Sequence, residues 1–411
     1  MQSAYNELYS IFTAQKGGNL MATRTPRSLL LGQLIRLFRI ADVSRRKGSP
    51  PVDELLDRGR GMSRRDFLRA SAVSVGVLAT TRIPFRYRNQ ETLPQIAIVG
   101  AGVAGLNTAY QLQKLGIPAA VYEASGRIGG RMFTAQNVMG DGLYTELGGE
   151  FINSDHEDML ALINELGLEV IDTYLPELAS LSQLDYFYEG RQISCGELIE
   201  AYIPFADRIA TDVFNLDENY DEVYADYDAL SITEYLDELG MTGLIRAVIE
   251  SAVASENGSP ASSQSLLNFL YLHPVVDGDF CGLIGGSDER CKVLGGSQQI
   301  PLSLAGALDT DVELGYRLEA VRQTESGYRL AFETDGGARE IDADVVVLAI
   351  PLTVLRQVEM NVDVPDAVLA AVQTLGYGTS SKVMAGLNRR PWLDHNSIGY
   401  SITDLPQMAD R

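Results

Sequence analysis

The chain becomes regular in its hydrophobic pattern at residue 95. Gln95–Val99 is a short apolar run of β character, broken by three glycines. Apolar positions then return at helical spacing through Leu106, Ala109, Leu112 and Leu115, and Gly116 can stop that helix. "PAAVYE" (118–123) reads as a second strand ending in an acid. Further on, Ile300, Leu304 and Leu308 share one helical face after the Gly295–Gly296 turn. Residues 312–324 and 328–334 read as strands. The unbroken apolar run of 343–351 predicts a buried parallel strand. Strand, helix and strand in alternation predict an α/β fold with a parallel sheet.

Composition changes this picture at its edges. A length of 411 residues allows two domains or one large interleaved fold. No apolar run approaches the roughly 20 residues of a membrane-spanning helix. Net charge is −22, unevenly spread: residues 1–90 hold 16 Lys and Arg against 6 Asp and Glu, and the remainder holds 17 against 49. So acidic a body repels nucleic acid, and no nucleic-acid partner is expected. It could steer cationic amines, although solubility alone is the plainer reading. Three cysteines show no metal spacing, and three histidines are scattered, so no metal is expected. A Cys281–Cys291 bridge in an oxidising compartment is left open.

The first ninety residues stand apart. "SRRDFLRASAVSVGVLATT" (63–81) has paired arginines, Phe67 and Leu68 at the usual offset, and a short apolar run. It resembles a twin-arginine export signal, which predicts a periplasmic or membrane-associated protein, or a cytoplasmic one where the signal is not used. No clear cleavage site follows. "LLLGQLIRLFRIADVSRRKG" (29–48) has helical spacing with Arg36 and Arg39 between apolar positions. It suits either peripheral contact with an anionic membrane or a helix docked on the body. Met21 is an alternative start to Met1.

The chemistry begins at Gly100, Gly102 and Gly105, a G-x-G-x-x-G between strand and helix. Gly100 permits the tight turn, Gly102 lets backbone approach a pyrophosphate, and Gly105 lets helix pack on strand. Val103 and Ala104 open the helix, whose free N–H groups favour phosphate. Glu123, 23 positions after Gly100, is placed to accept bonds from an adenosine ribose. To this point NAD and FAD both fit.

"EASGRIGGRMFT" (123–134) then runs from the acid through Ala124 into Arg127, Gly129, Gly130 and Arg131. This stretch resembles the FAD fingerprint of the flavin amine oxidase family, which includes monoamine, polyamine and L-amino-acid oxidases. The resemblance implies that Arg131 contacts the FAD pyrophosphate, as an arginine fork beside a diphosphate gives charge-assisted bonds. It implies that "ELGGEFI" (146–152), with Gly148, Gly149, Glu150 and Phe151, lies along the flavin. It implies that Leu318 pairs with adenine through its backbone; otherwise it is a plain strand core residue. It implies helices over 230–240 and 254–270. "SSKVMAGLNRRPW" (380–392) would be a substrate-domain strand carrying Lys382, the catalytic residue, near the flavin N5 edge through a water.

The expected fold is thus α/β (α+β), a Rossmann-like FAD-binding domain interleaved with an amine-oxidase-type substrate domain. Its expected boundaries are an N-terminal extension over 1–92, FAD-binding parts over 93–154 and 291–350, and substrate-domain parts over 155–290 and 351–411. The family normally continues past the last residue here, with a further glycine-rich FAD segment, the covalent-attachment cysteine and part of an aromatic cage. FAD is therefore expected to be non-covalent, and the sequence to be truncated or complemented by another chain.

The implied reaction removes a hydride equivalent from the α-carbon of a neutral amine or L-amino acid, giving an imine, with O2 or another acceptor taking the electrons. One branch of amino-acid oxidases has a carboxylate-binding arginine after the glycine pair; Glu150–Phe151–Ile152 has none. Alternatives are a carotenoid-desaturase-like flavoenzyme and a non-catalytic FAD-fold subunit. A dimer is also allowed.

Overall fold

A computed structural model describes residues 38, 40, 41, 44, 51, 52, 93–178, 180–182, 185–273 and 289–404. Most of 29–48, all of 63–81, Met21 and Cys281 lie outside the described residues. The described residues fall into two compact units: 93–174 with 290–376, and 175–289 with 377–404 and the described positions among 38–52. No helix among the described residues is long and apolar enough to cross a membrane.

The first unit is built on β1 (Ile96–Val99), α1 (Val103–Lys114) and β2 (Ala119–Glu123), in the order the hydrophobic pattern predicts. It continues with the hairpin β3 (Thr134–Gln136) and β4 (Tyr144–Glu146), then α2 (Glu157–Glu165) and β5 (Val170–Asp172). The chain re-enters through β6 (Cys291–Val293), α3 (Gln299–Gly306), β7 (Glu313–Leu314), β8 (Arg317–Gln323) and β9 (Tyr328–Thr334). It ends with β10 (Gly337–Ala343), β11 (Val345–Leu348), β12 (Glu359–Asn361) and α4 (Asp366–Thr374).

Two sheets result. One is parallel, in the order β11-β1-β2-β7; the other has the order β10-β9-β8-β12. Side chains alternate along β1, as period-two geometry requires. Ile98 faces a helical layer holding Leu106, Ile163, Ile300 and Leu304, while Ala97 and Val99 face the second sheet at Leu318, Leu330 and Phe332. Residues 155–174 belong to this unit because Ile163 is buried in that helical layer. Residues 351–376 belong to it in part because β12 extends the second sheet.

Two sequence expectations change here. The strand over 312–324 divides at Gly315, whose φ of +77° turns the chain from one sheet to the other. The run at 343–351 is parallel to β1 but not fully buried: Val345 is 42% exposed. Its apolar pattern signals an inner strand, yet among the described residues it pairs only with β1 and forms an edge.

The second unit is mainly helical. Ser194 and Glu197 form a capping box that starts the helix Cys195–Glu218. Leu198, Tyr202, Ile209, Val213 and Leu216 lie buried along one side of it. A second capping box, Ser231 with Glu234, starts Ile232–Glu238. The helix Gly243–Asn257 stops at Gly258, with φ +62°. The helix expected over 254–270 is therefore interrupted: Gly258 turns left-handed, Pro260 and a 3-10 turn over Ala261–Ser263 follow, and α-helix resumes only at Leu266–Leu270. A small sheet orders Ser401–Thr403, Asp185–Tyr188 and Arg191–Ile193. Phe38, Ile40 and Ala41 are buried in this unit's core.

Candidate functional site

The turn after β1 is shaped by glycines with distinct duties. Gly100 has φ +105°, and a Cβ there would stand 2.5 Å from the Ala349 carbonyl oxygen. A Cβ on Gly105 would stand 2.0 Å from the Gly100 carbonyl oxygen, so only glycine lets α1 lie this close to β1. Gly102 differs: a Cβ there would meet nothing within 4 Å. It is the N-cap of α1, and the space above it opens onto first-turn N–H groups, beginning at Val103 and Ala104, that lack intrahelical partners.

The second glycine loop closes on the first. The Gly129 N–H donates to the Ala101 carbonyl at 3.0 Å, and a Cβ on Gly130 would lie 3.4 Å from the Gly102 Cα. The two arginines of this loop have separated roles. Arg127 donates to the Gly130 carbonyl at 2.8 Å and lies 4.4 Å over the Phe133 ring, so it braces the loop. Arg131 is exposed, and its guanidinium makes no hydrogen bond or ion pair with the described residues. Glu123 accepts from the Ala101 N–H and from the Ser125 N–H, both at 2.9 Å, holding the first loop to the end of β2. Ala124 follows it, exposed.

Gly148 and Gly149 run against this loop. The Gly149 N–H donates to the Arg131 carbonyl at 2.9 Å, and a Cβ on Gly148 would fall 1.9 Å from the same oxygen. Glu150 pairs with Lys292 at 2.5 Å, and the Lys292 ammonium lies 4.3 Å from the centroid of Phe151. Leu318 is buried opposite Phe332 at a register shift in β8. Its strand is led in by Tyr316, whose N–H donates to the Glu123 carbonyl at 2.9 Å.

A buried polar clamp ties these segments together, and sequence reasoning did not find it. Glu146 accepts from the Ser297 N–H at 2.7 Å and from the Thr134 hydroxyl at 2.9 Å. Gln298 accepts from the Thr134 N–H at 3.1 Å and donates to the Ile128 carbonyl at 3.3 Å. The Ser297 hydroxyl donates to the Glu150 carbonyl at 3.2 Å. A Ser-Gln pair after Gly295–Gly296, where α3 begins, was the available signal; nothing local marks Glu146 as buried.

Lys382 belongs to the second unit. It is exposed, in an irregular stretch over 375–387, where Val383 is 79% exposed. The strand expected here does not form, because no neighbouring strand among the described residues takes its ladder bonds. Trp392 lies on the turn Pro391–His395, with Gly399 packed beneath its ring.

Two glycine loops joined by a hydrogen bond, an open floor at Gly102 and an arginine fork with no partner among the described residues suit a dinucleotide diphosphate. The sequence profile described as flavin containing amine oxidoreductase matches residues 103–411. The chain belongs to this family. A flavin, FAD, is the family's cofactor, and its binding domain is Rossmann-like. The putrescine oxidase of Kocuria rosea is 26% identical over 336 residues, covering 76% of this chain and 68% of that protein. The L-amino-acid oxidase of Siganus canaliculatus is 25% identical over 337 residues, covering 77% and 61%. A solved putrescine oxidase bound to putrescine superimposes with a TM-score of 0.56 at 26% identity, covering 70% of this chain and 64% of the other. The chain thus spans between 61% and 68% of the length of these relatives.

Proposed function

We propose that this protein holds FAD non-covalently on its first unit and oxidises a primary or secondary amine, or an L-amino acid, to the imine. The observation that carries this reading is the Gly129 N–H bond to Ala101, which brings the second glycine loop against Gly102, in a loop whose Arg131 guanidinium makes no hydrogen bond or ion pair with the described residues. When bound, FAD supplies the hydride acceptor and passes the electrons to O2 or another acceptor.

The chain's own residues then bind and orient. The α1 N-terminus and Arg131 take the diphosphate, and Arg127 keeps the Arg131 loop in shape. Glu123 has one hydrogen bond to each oxygen, so further lone pairs are left for ribose hydroxyls. Glu146, Thr134 and Ser297 fix the backbone of 146–151, the stretch that the family places along the flavin. Lys382 is assigned, from its S-S-K-V register ahead of Pro391–Trp392, to hold a water for the chemistry. A protonated amine cannot give up hydride, so the site must favour the neutral form, most simply by desolvation. Export by the twin-arginine route, to the periplasm or the membrane, is proposed from 63–81.

Titration of apo protein with FAD, followed by flavin fluorescence, tests the reading. Arg131→Met should weaken FAD binding roughly tenfold or more, the equivalent of one charge-assisted bond, without changing apo-protein melting. Lys382→Met should bind FAD as wild type does while slowing flavin reduction by amines. Wild-type protein that stays colourless with excess FAD would overturn the assignment.

A further inference from the structure

The motif that resembles an export signal begins downstream of residues that the folded protein uses. Phe38, Ile40 and Ala41 are 0%, 2% and 0% exposed, as buried as the centre of the helical unit. They lie outside the family match, which begins at residue 103. Phe38 stands edge-on to Tyr202, with ring centroids 5.5 Å apart, and to His273 at 4.6 Å and 88°. The Ser44 hydroxyl bonds the Ile40 carbonyl, closing a helical turn. Val52 packs against the same cluster.

Phe38 covers a buried hydrogen-bonded pair. His273 Nδ1 lies 2.7 Å from the Phe269 carbonyl, and Nε2 lies 3.0 Å from the Tyr202 hydroxyl. A carbonyl only accepts, so Nδ1 donates to Phe269; with the ring carrying that single proton, Nε2 accepts from the Tyr202 hydroxyl. Tyr202 and His273 are both buried. A buried neutral pair of this kind keeps its bonds while water is kept out, and Phe38 is one wall of its enclosure.

We infer that Phe38, Ile40 and Ala41 are a permanent part of the helical unit's core, and that the twin-arginine stretch at 63–81 is carried by the folded protein rather than removed from it. Cleavage after residue 81 would sever Phe38, Ile40 and Ala41 from the chain they pack against. A twin-arginine passenger crosses the membrane already folded, so its core would be complete, with Phe38 in place, before any peptidase met it.

The test takes full-length protein from soluble and membrane fractions and measures intact mass under denaturing conditions, which reports the N-terminus. It also compares thermal melting of wild type, Phe38→Ala and Phe38→Leu. An N-terminus upstream of Phe38 in every fraction is expected. So is a fall of roughly 10 °C for Phe38→Ala, the cost of a large cavity, with less than half that for Phe38→Leu. A folded species whose chain begins after Ser44 would overturn the inference, as would Phe38→Ala melting unchanged. If Phe38→Ala fails to fold, Phe38→Leu and the mass remain decisive. None of these readouts involves flavin, so failure here leaves the FAD reading standing.

Discussion

Each unit buries a carboxylate, and the two are held differently. In the nucleotide-binding unit, Glu146 accepts from the Thr134 hydroxyl, 12 residues away, and from the Ser297 backbone, 151 residues away. In the helical unit, Asp212 accepts from Arg208 at 2.7 Å, Tyr235 at 2.8 Å and Tyr227 at 3.1 Å. All of these lie within 23 residues of it, on three consecutive helices. Glu146 ties the β3–β4 hairpin to the start of α3, across a long stretch of chain. Asp212 ties neighbouring helices to one another. Burial and the charge of Asp212 both push the Tyr235 phenol far above its ordinary pKa, so Tyr235 serves only as a neutral donor. The lesson is that local partners suffice to join consecutive helices, whereas a carboxylate with a partner 151 residues away holds together segments that the chain itself keeps apart.

Removing Asp212 is the strongest test of that contrast. Asp212 is 4% exposed, and Asp212→Ala would leave the buried Tyr235 hydroxyl without its acceptor. The expected loss is about 3 kcal/mol, read as a fall of roughly 6–12 °C in melting temperature. FAD affinity of the protein that remains folded should be unchanged. An FAD dissociation constant that rose in step with the melting loss would show the two units to be less separable than their bonding suggests.

The two inner glycines of the first loop sharpen the comparison within one unit. Gly105→Ala drives a Cβ to 2.0 Å from a backbone oxygen that cannot yield, so both apo stability and FAD binding should fall. Gly102→Ala places its Cβ in open space, so apo melting should hold while FAD binding weakens roughly tenfold. Equal melting losses for the two variants would mean that the space at Gly102 is not a ligand's.

Legibility in the sequence followed the range of the interaction. β1, the glycine turn, α1 and β2 were readable because a tight turn and the pattern on either side lie within thirty residues. The strand over 328–334 was readable from composition and matches β9 residue for residue. The edge position of β11 was not, because an apolar run cannot report whether a neighbour stands on both sides. Arg127 and Arg131 look alike in R-x-G-G-R. Only the fold shows that Phe133 and the Gly130 carbonyl take the first and leave the second. The Glu146 clamp spans more than 150 residues and has no local signature. The Lys382 stretch carries a family pattern, but a strand needs a partner that its own sequence does not supply.

The smallest expected effect concerns the capping boxes, which among the described residues belong to the helical unit. The Ser194 backbone N–H, followed by Arg191, holds the Glu197 carboxylate below its ordinary value of 4.5. The Ser231 backbone N–H does the same for Glu234. A carboxylate whose pKa falls on folding adds stability above its unfolded value, and that contribution disappears as pH drops through the lower, folded value. Glu197→Gln with Glu234→Gln should therefore melt slightly below wild type at pH 7, and the two proteins should converge as pH falls well below 4.5. Glutamine can still accept a bond from the cap N–H, so the difference isolates the charge at the helix N-terminus. Melting curves that stay parallel through the acid range would assign the caps to geometry alone. FAD binding, measured where both proteins are folded, should not change, because the capped helices start in a unit that holds none of the glycine loops.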